Sequence, residues 1–155
     1  MTTATLLDVL LDPKIRVGSS TPKNDPSGDY TWAMFEKAEK LRPGAYAALS
    51  GKALKLVGGT DAPPPPKDRS VTTMLMEENK ADVFLTYCTN AILASQEAPS
   101  LKVIQLPEAL AVGADYGMTV MNGASAASTR LSQFILSAPG QAILVKHGFA
   151  AARSQ

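Results

Sequence analysis

Cysteine and histidine are almost missing from this chain of 155 residues, which holds one of each, Cys88 and His147. A lone cysteine excludes an internal disulfide, and one Cys with one His excludes a Cys/His zinc cluster. Cys88 has no base near it in sequence, and no set of acid, base and nucleophile assembles around it, so an enzyme is not expected. An excess of either charge is also absent. Lys plus Arg number 15 and Asp plus Glu 14, for a net charge of +1, and the charges are scattered. That balance excludes the electrostatic footprint of a nucleic-acid binder or of a protein held on an anionic membrane. No apolar run reaches the length of a membrane span. The stretch from Met1 to Leu11 lacks a basic leader and is followed at once by Asp12, with Asp8 inside it, so it does not read as a signal peptide. A chain complete as written is therefore expected in the cytoplasm.

What is present suits one globular domain. Apolar residues make up 45% and charged residues 19% of the chain, enough to build a core at this length. Leu6 to Leu11 suggests a short apolar helix ended by Asp12-Pro13, and Ile15 to Ser19 a strand. The spacing of Tyr30, Ala33, Met34, Ala38 and Leu41 predicts one face of a helix widened by Trp32 and Phe35, with Glu36, Lys37, Glu39 and Lys40 on the solvated side. Arg42-Pro43-Gly44 stops it. Ala53 to Val57 reads as a strand ending at Gly58-Gly59. The proline stretch 62–66 reads as stiff, polyproline-like surface backbone, or as a ligand for a proline-binding domain. Ser70 to Lys80 predicts a helix with Val71, Met74 and Leu75 inward, and Asp82 to Tyr87 a buried strand. Leu101 to Leu106 and Tyr116 to Met121 are two further expected strands. From Ser125 the period returns to helical, with a second helix restarting at Ser137-Ala138-Pro139 and Gly148 as its closing glycine. Met74, Met76, Met118 and Met121 read as core filler. Helices alternating with strands give an α/β domain around a central sheet.

The chain is organised around Gly18 to Tyr30, G-S-S-T-P-K-N-D-P-S-G-D-Y. It joins an apolar run to an amphipathic one, and its Asp25-Pro26-Ser27-Gly28 turn carries helix-start signals. Such a start aims backbone N–H groups and the positive end of a helix dipole outward, and Ser19, Ser20, Thr21 and Ser27 add hydroxyls. The loop is thus either an oxyanion cradle without cationic side chains or an ordinary capped helix after a strand. Asp25 and Asp29 suit the dipole, yet either one repels an anion if aimed inward.

The run S-S-T-P-K-N-D-P-S-G-D-Y-T-W resembles the second-lobe anion-binding turn of the periplasmic molybdate-binding proteins, the type II solute-binding components of molybdate and tungstate ABC importers. Three later blocks resemble the same family in the same order: K-A-D-V-F-L-T-Y-C-T-N-A (80–91), A-D-Y-G-M-T-V-M-N-G (114–123) and S-A-P-G-Q-A-I-L-V-K-H-G-F (137–149). The resemblance implies a type II periplasmic-binding-protein-like fold, here a single lobe with a central mixed sheet flanked by helices. It implies a molybdate-like oxyanion or another small anion as ligand, no cofactor or metal, an ABC permease as partner and a periplasmic location. Carried over, the ligand contacts are the helix-start backbone at Ser27 and Gly28, the backbone at Thr86 and the Tyr116 hydroxyl, with Ser20 and Thr21 as additional candidates. The family's first lobe has no counterpart in this chain. Residues 1–122 correspond to the second lobe, and 123–155 to helices that in the family pack on the first. Their apolar residues Leu131, Phe134, Ile135, Ile143 and Val145 then need another cover. Docking on the chain's own sheet is one solution, and a homodimer exchanging these helices is the other. A stand-alone oligomerising or sensing lobe without a transport role is the alternative function.

Overall fold

The structure, a computed structural model, describes residues 2–60, 62, 64 and 66–151. The chain separates into two compact units, Met1–Gly113 and Ala114–Gln155; the boundary expected at 122/123 falls inside the second.

In the first unit a 3-10 turn, Thr3–Thr5, runs into α1 (Leu6–Leu11), followed by β1 (Val17–Ser20), α2 (Pro26–Leu41), α3 (Ala45–Lys52), β2 (Leu54–Val57), α4 (Val71–Glu77), β3 (Val83–Phe84) and α5 (Cys88–Glu97). The three strands form one sheet in the order β2-β1-β3. Both pairings are parallel, with Gly18 opposite Leu54 on one side and opposite Phe84 on the other. The mixed sheet expected from the sequence is therefore corrected to a wholly parallel one among the described residues. Every strand here returns through helices, and such crossovers leave neighbouring strands parallel.

Val17 and Leu85 join Leu6, Leu10, Met34, Phe35, Ala38, Ala45, Leu49 and Leu110 in the core, which places α1 to α3 on one face of the sheet. Phe35 lies at the centre of the buried α2 face rather than at its margin, while Leu41, expected inside, is exposed. The solvated side of α2 is likewise put to use. Glu39 accepts hydrogen bonds from the N–H groups of Gly44 and Tyr46 at 2.9 and 2.8 Å, which caps α3 and holds its carboxyl below the usual range. Lys37 donates to the Ala111 carbonyl and fastens 107–112 onto α2.

On the other face α4 packs against α5. Thr72, Thr73 and Leu75 are its buried residues, whereas Val71 and Met74, expected inside, are half-buried. The Thr73 hydroxyl donates to the Glu97 carboxylate at 2.6 Å, and the Ser70 N–H reaches the same group at 3.0 Å. At the N-terminal edge of the strands, Arg16 binds Asp82 through its backbone N–H, Nε and NH2, at 2.8, 3.0 and 2.6 Å, and its NH1 donates to the Asn79 carbonyl. These bonds hold the Asp82 carboxyl down at about 2.

The expected strand 101–106 is not formed. Ile104 and Leu106 pack on the core, but the segment finds no ladder partner, and alternation alone does not make a strand. The proline stretch lies partly outside the described residues, at Pro63 and Pro65.

The second unit is helical, α6 (Ala126–Leu136) and α7 (Ala138–Lys146). Ser125 and Ser137 cap the two helices by accepting from the Ser128 and Gly140 N–H groups. The close of α7 follows the expected glycine signal. Gly148 stands at φ +93°, its N–H bonds the Val145 carbonyl, and the Phe149 N–H reaches back to Leu144, a Schellman ending. Tyr116–Met121 is not a strand. Nor are its methionines core: Met118 and Met121 are exposed, as are Leu131, Phe134, Ile143 and Val145.

Candidate functional site

Strand order locates the site. From β1 the chain crosses to β2 on one side, then returns past β1 to β3 on the other. The gap at the C-terminal ends of β1 and β3 is therefore a topological switch point, where open parallel sheets form their binding crevices. Two helices begin there, α2 after the Thr21–Asp25 loop and α5 two residues beyond Thr86. An edge-on contact between Tyr30 and Tyr87, ring centroids 5.9 Å apart and planes at 66°, ties the two helix starts together.

The α2 end is tightly constructed. A Cβ on Gly28 would lie 2.5 Å from the Thr21 carbonyl carbon and 2.6 Å from the Pro22 nitrogen, so only glycine lets the helix approach the turn. Asp25 is its N-cap and accepts from the Ser27 N–H through Oδ1 at 2.9 Å. The Gly28 N–H donates to the Asp25 carbonyl at 2.9 Å, and Pro26 has no N–H to offer. Both backbone donors that the sequence pattern assigns to a ligand, at Ser27 and Gly28, are thus bonded to Asp25. Thr21 is also committed, its N–H and hydroxyl both donating to the Val57 carbonyl at 2.8 and 2.9 Å.

The hydroxyls of Ser20 and Ser27 differ. Ser20 is 4% exposed and Ser27 6% exposed, yet neither hydroxyl bonds another described residue, and no sealed side-chain polar atom is left without a partner. Both oxygens therefore keep an opening to solvent. Thr86 follows two residues after the end of β3, as Ser20 closes β1. The Thr86 hydroxyl accepts from the Asn90 amide at 3.4 Å, leaving its own proton to donate.

The structure thus places Ser20, Thr21, Ser27, Gly28 and Thr86 in the first unit, at the C-terminal ends of β1 and β3 and the start of α2. Tyr116 belongs to the second unit, where it is 70% exposed with its ring 5.4 Å from that of Phe149. The sequence reading missed α5 altogether, although Ala91-Ile92-Leu93-Ala94 behind a polar first turn carries a helical signal. It also missed the loop after β2 as part of the site. A Cβ on Gly58 would meet the Asp25 Cβ at 2.7 Å, and one on Gly59 the Thr21 hydroxyl at 3.0 Å, so this glycine pair seats the α2 turn. Among the described residues no group of His, Cys, Asp and Glu is arranged to hold a metal. No helix among them is long and apolar enough to cross a membrane.

Neutral hydroxyls and two helix starts thus gather at the switch point of the sheet. The family model of the bacterial extracellular solute-binding proteins matches residues 2–150. The chain belongs to that family. It is also 39% identical over 110 residues to an uncharacterized protein of Pasteurella multocida, an overlap covering 71% of this chain and 45% of that protein. The chain therefore spans less than half the length of the curated relative it matches. No solved structure matches.

Proposed function

We propose that this solute-binding chain takes a small oxyanion of the molybdate type in the β1/β3 crevice and serves an ABC import system in the periplasm as the second-lobe half of its receptor. The observation that carries this reading is the pair of nearly buried, unpaired hydroxyls, Ser20 and Ser27, at a crevice flanked by helix starts. Fixed neutral donors replace the hydration shell of an anion without the proton traffic of a cationic side chain. Thr86 adds a backbone N–H and a hydroxyl, Gly28 permits the close turn, and Thr21 holds the turn on β2. The family resemblance also names the Tyr116 hydroxyl as a ligand contact. Calorimetric titration with molybdate, tungstate and sulfate tests the reading. Heat that saturates with any of the three, and that falls about tenfold in affinity on Ser20→Ala with Ser27→Ala as hydrogen bonds to a charged group are lost, is the expected result. No heat with any of them overturns it.

A second reading rests on the exposed apolar faces of the second unit. Leu131, Phe134, Ile143 and Val145 are each about half exposed, apolar surface that a partner would cover. We infer that two copies cover them by exchanging α6 and α7, which also suits a stand-alone oligomerising lobe with no transport role.

A further inference from the structure

Among the described residues of the second unit, Gly140 alone is buried, so the apolar side chains there form surface and not core. A groove of about 300 Å³ lies within this unit, and Met118, Val120, Met121, Leu131 and Ile135 line it. Charge is scarce around it: from 114 to 151 only Asp115, Arg130 and Lys146 carry one. Scarce charge with exposed methionine is the composition of a surface that another chain covers.

The methionines of the chain differ sharply in exposure. Met34 of α2 is 2% exposed, and Met74 and Met76 of α4 are half-buried. Met118 and Met121 are 48% and 74% exposed, and both line the groove. Leucine would fill the same lining with a similar volume. What methionine adds is a thioether, flexible, polarizable and open to oxidation. An oxidant must reach the sulfur from outside, so exposure ranks these residues for reaction.

We propose that Met118 and Met121 form a paired oxidation site, converted to sulfoxides by a peroxide ahead of the other described methionines, and that the modified groove is no longer covered by a second copy. This rests on the exchange reading above, since Leu131 belongs both to the groove and to the exposed face of α6. In the reaction a sulfur lone pair attacks one peroxide oxygen. The S–O bond forms as the O–O bond breaks, the sulfur gives up two electrons, and the departing hydroxide takes the proton of the transferred oxygen to leave as water. Each sulfoxide oxygen is a strong acceptor that water serves only while the groove stays open. The hydroxyls on the α6 side are already engaged, Ser128 with the Ser125 hydroxyl at 3.3 Å and Ser132 as donor to the Thr129 carbonyl at 2.8 Å. Covering the groove therefore strands a polar group, which opposes association.

The test treats the full chain, carrying Cys88→Ser so that no thiol reacts, with dilute hydrogen peroxide. Peptide mass spectrometry then follows the gain of oxygen at each methionine, and light scattering over a dilution series gives the dissociation constant. Met118 and Met121 are expected to gain oxygen before Met34, Met74 and Met76, and the dissociation constant to rise about tenfold or more, as burial of an unserved acceptor implies. Met118→Leu with Met121→Leu is expected to associate as the untreated chain does and to keep doing so in peroxide. Oxidation at equal rates across the methionines, an unchanged dissociation constant after treatment, or equal loss of association in the double leucine variant overturns the proposal and leaves the exchange reading standing. A single-chain mass before any peroxide is added overturns the exchange reading, and the proposal with it.

Discussion

Gly28 touches the preceding turn so closely that a single added methyl must push against backbone, which cannot rotate away as a side chain does. Alanine normally favours a helix over glycine by roughly 0.5–1 kcal/mol, so the sign here depends on which effect is larger. With Thr21, Pro22 and the Ser20 carbonyl all within 2.8 Å of the new carbon, the clash wins, and Gly28→Ala is expected to lower stability by about 2 kcal/mol, read from urea unfolding. A rise in stability would show that the turn is looser than its geometry. Some of this residue-scale detail was readable beforehand. Asp25 and Pro26 announced the cap by their chemistry, whereas the claim of Asp25 on the very N–H expected for a ligand depends on a rotamer, which sequence does not carry. Asp82 makes a second point at this scale. Its folded value of about 2 lies below its ordinary 3.8, so its contribution is fully present above the ordinary value and disappears as pH falls toward 2. Between pH 4 and 2 the wild type is therefore expected to lose stability more steeply than Asp82→Asn, and equal slopes would remove Arg16–Asp82 from the account. Glu39 shifts in the same direction and adds to the same acid limb.

Elements divide by whether their signals are local. α2, α6 and α7 were legible because caps, prolines and a closing glycine belong to the segment itself. The segments 101–106 and 116–121 alternate like strands but remain unpaired, since a strand exists only where another edge receives it. β3 is confined to Val83–Phe84, since only Val17 and Gly18 of β1 pair with it. α3 begins directly after Gly44, read in the sequence as a stop; its first turn is capped by Glu39, which lies in α2. α4 is held by a group still farther off, the Glu97 carboxylate, which meets both the Ser70 N–H and the Thr73 hydroxyl. With seven residues α4 has little stability of its own. Glu97→Ala is expected to speed amide exchange in α4 about tenfold while the core of α2 keeps its protection, as the loss of one charged hydrogen-bond acceptor implies. Equal acceleration in both helices would mean that α4 does not open independently.

At the scale of the whole molecule, the apolar faces of the second unit set the expected assembly. Light scattering at micromolar concentration is expected to give about twice the 16.3 kDa of one chain. Leu131→Glu with Ile143→Glu is expected to return the single-chain mass without lowering the melting temperature of the first unit, because both side chains are exposed within a chain. A wild type already at the single-chain mass sinks the exchange reading. The wholly parallel sheet has one more consequence. All three strands end at the same rim, so the proposed binding chemistry gathers there, while the opposite rim carries the Arg16 clamp on Asn79 and Asp82. Recognition and reinforcement are thus assigned to different poles, and changes at one pole are free to accumulate without taxing the other. For a protein engineer this separates the residues to vary for recognition from the clamp of Arg16, Asn79 and Asp82 that should be left alone.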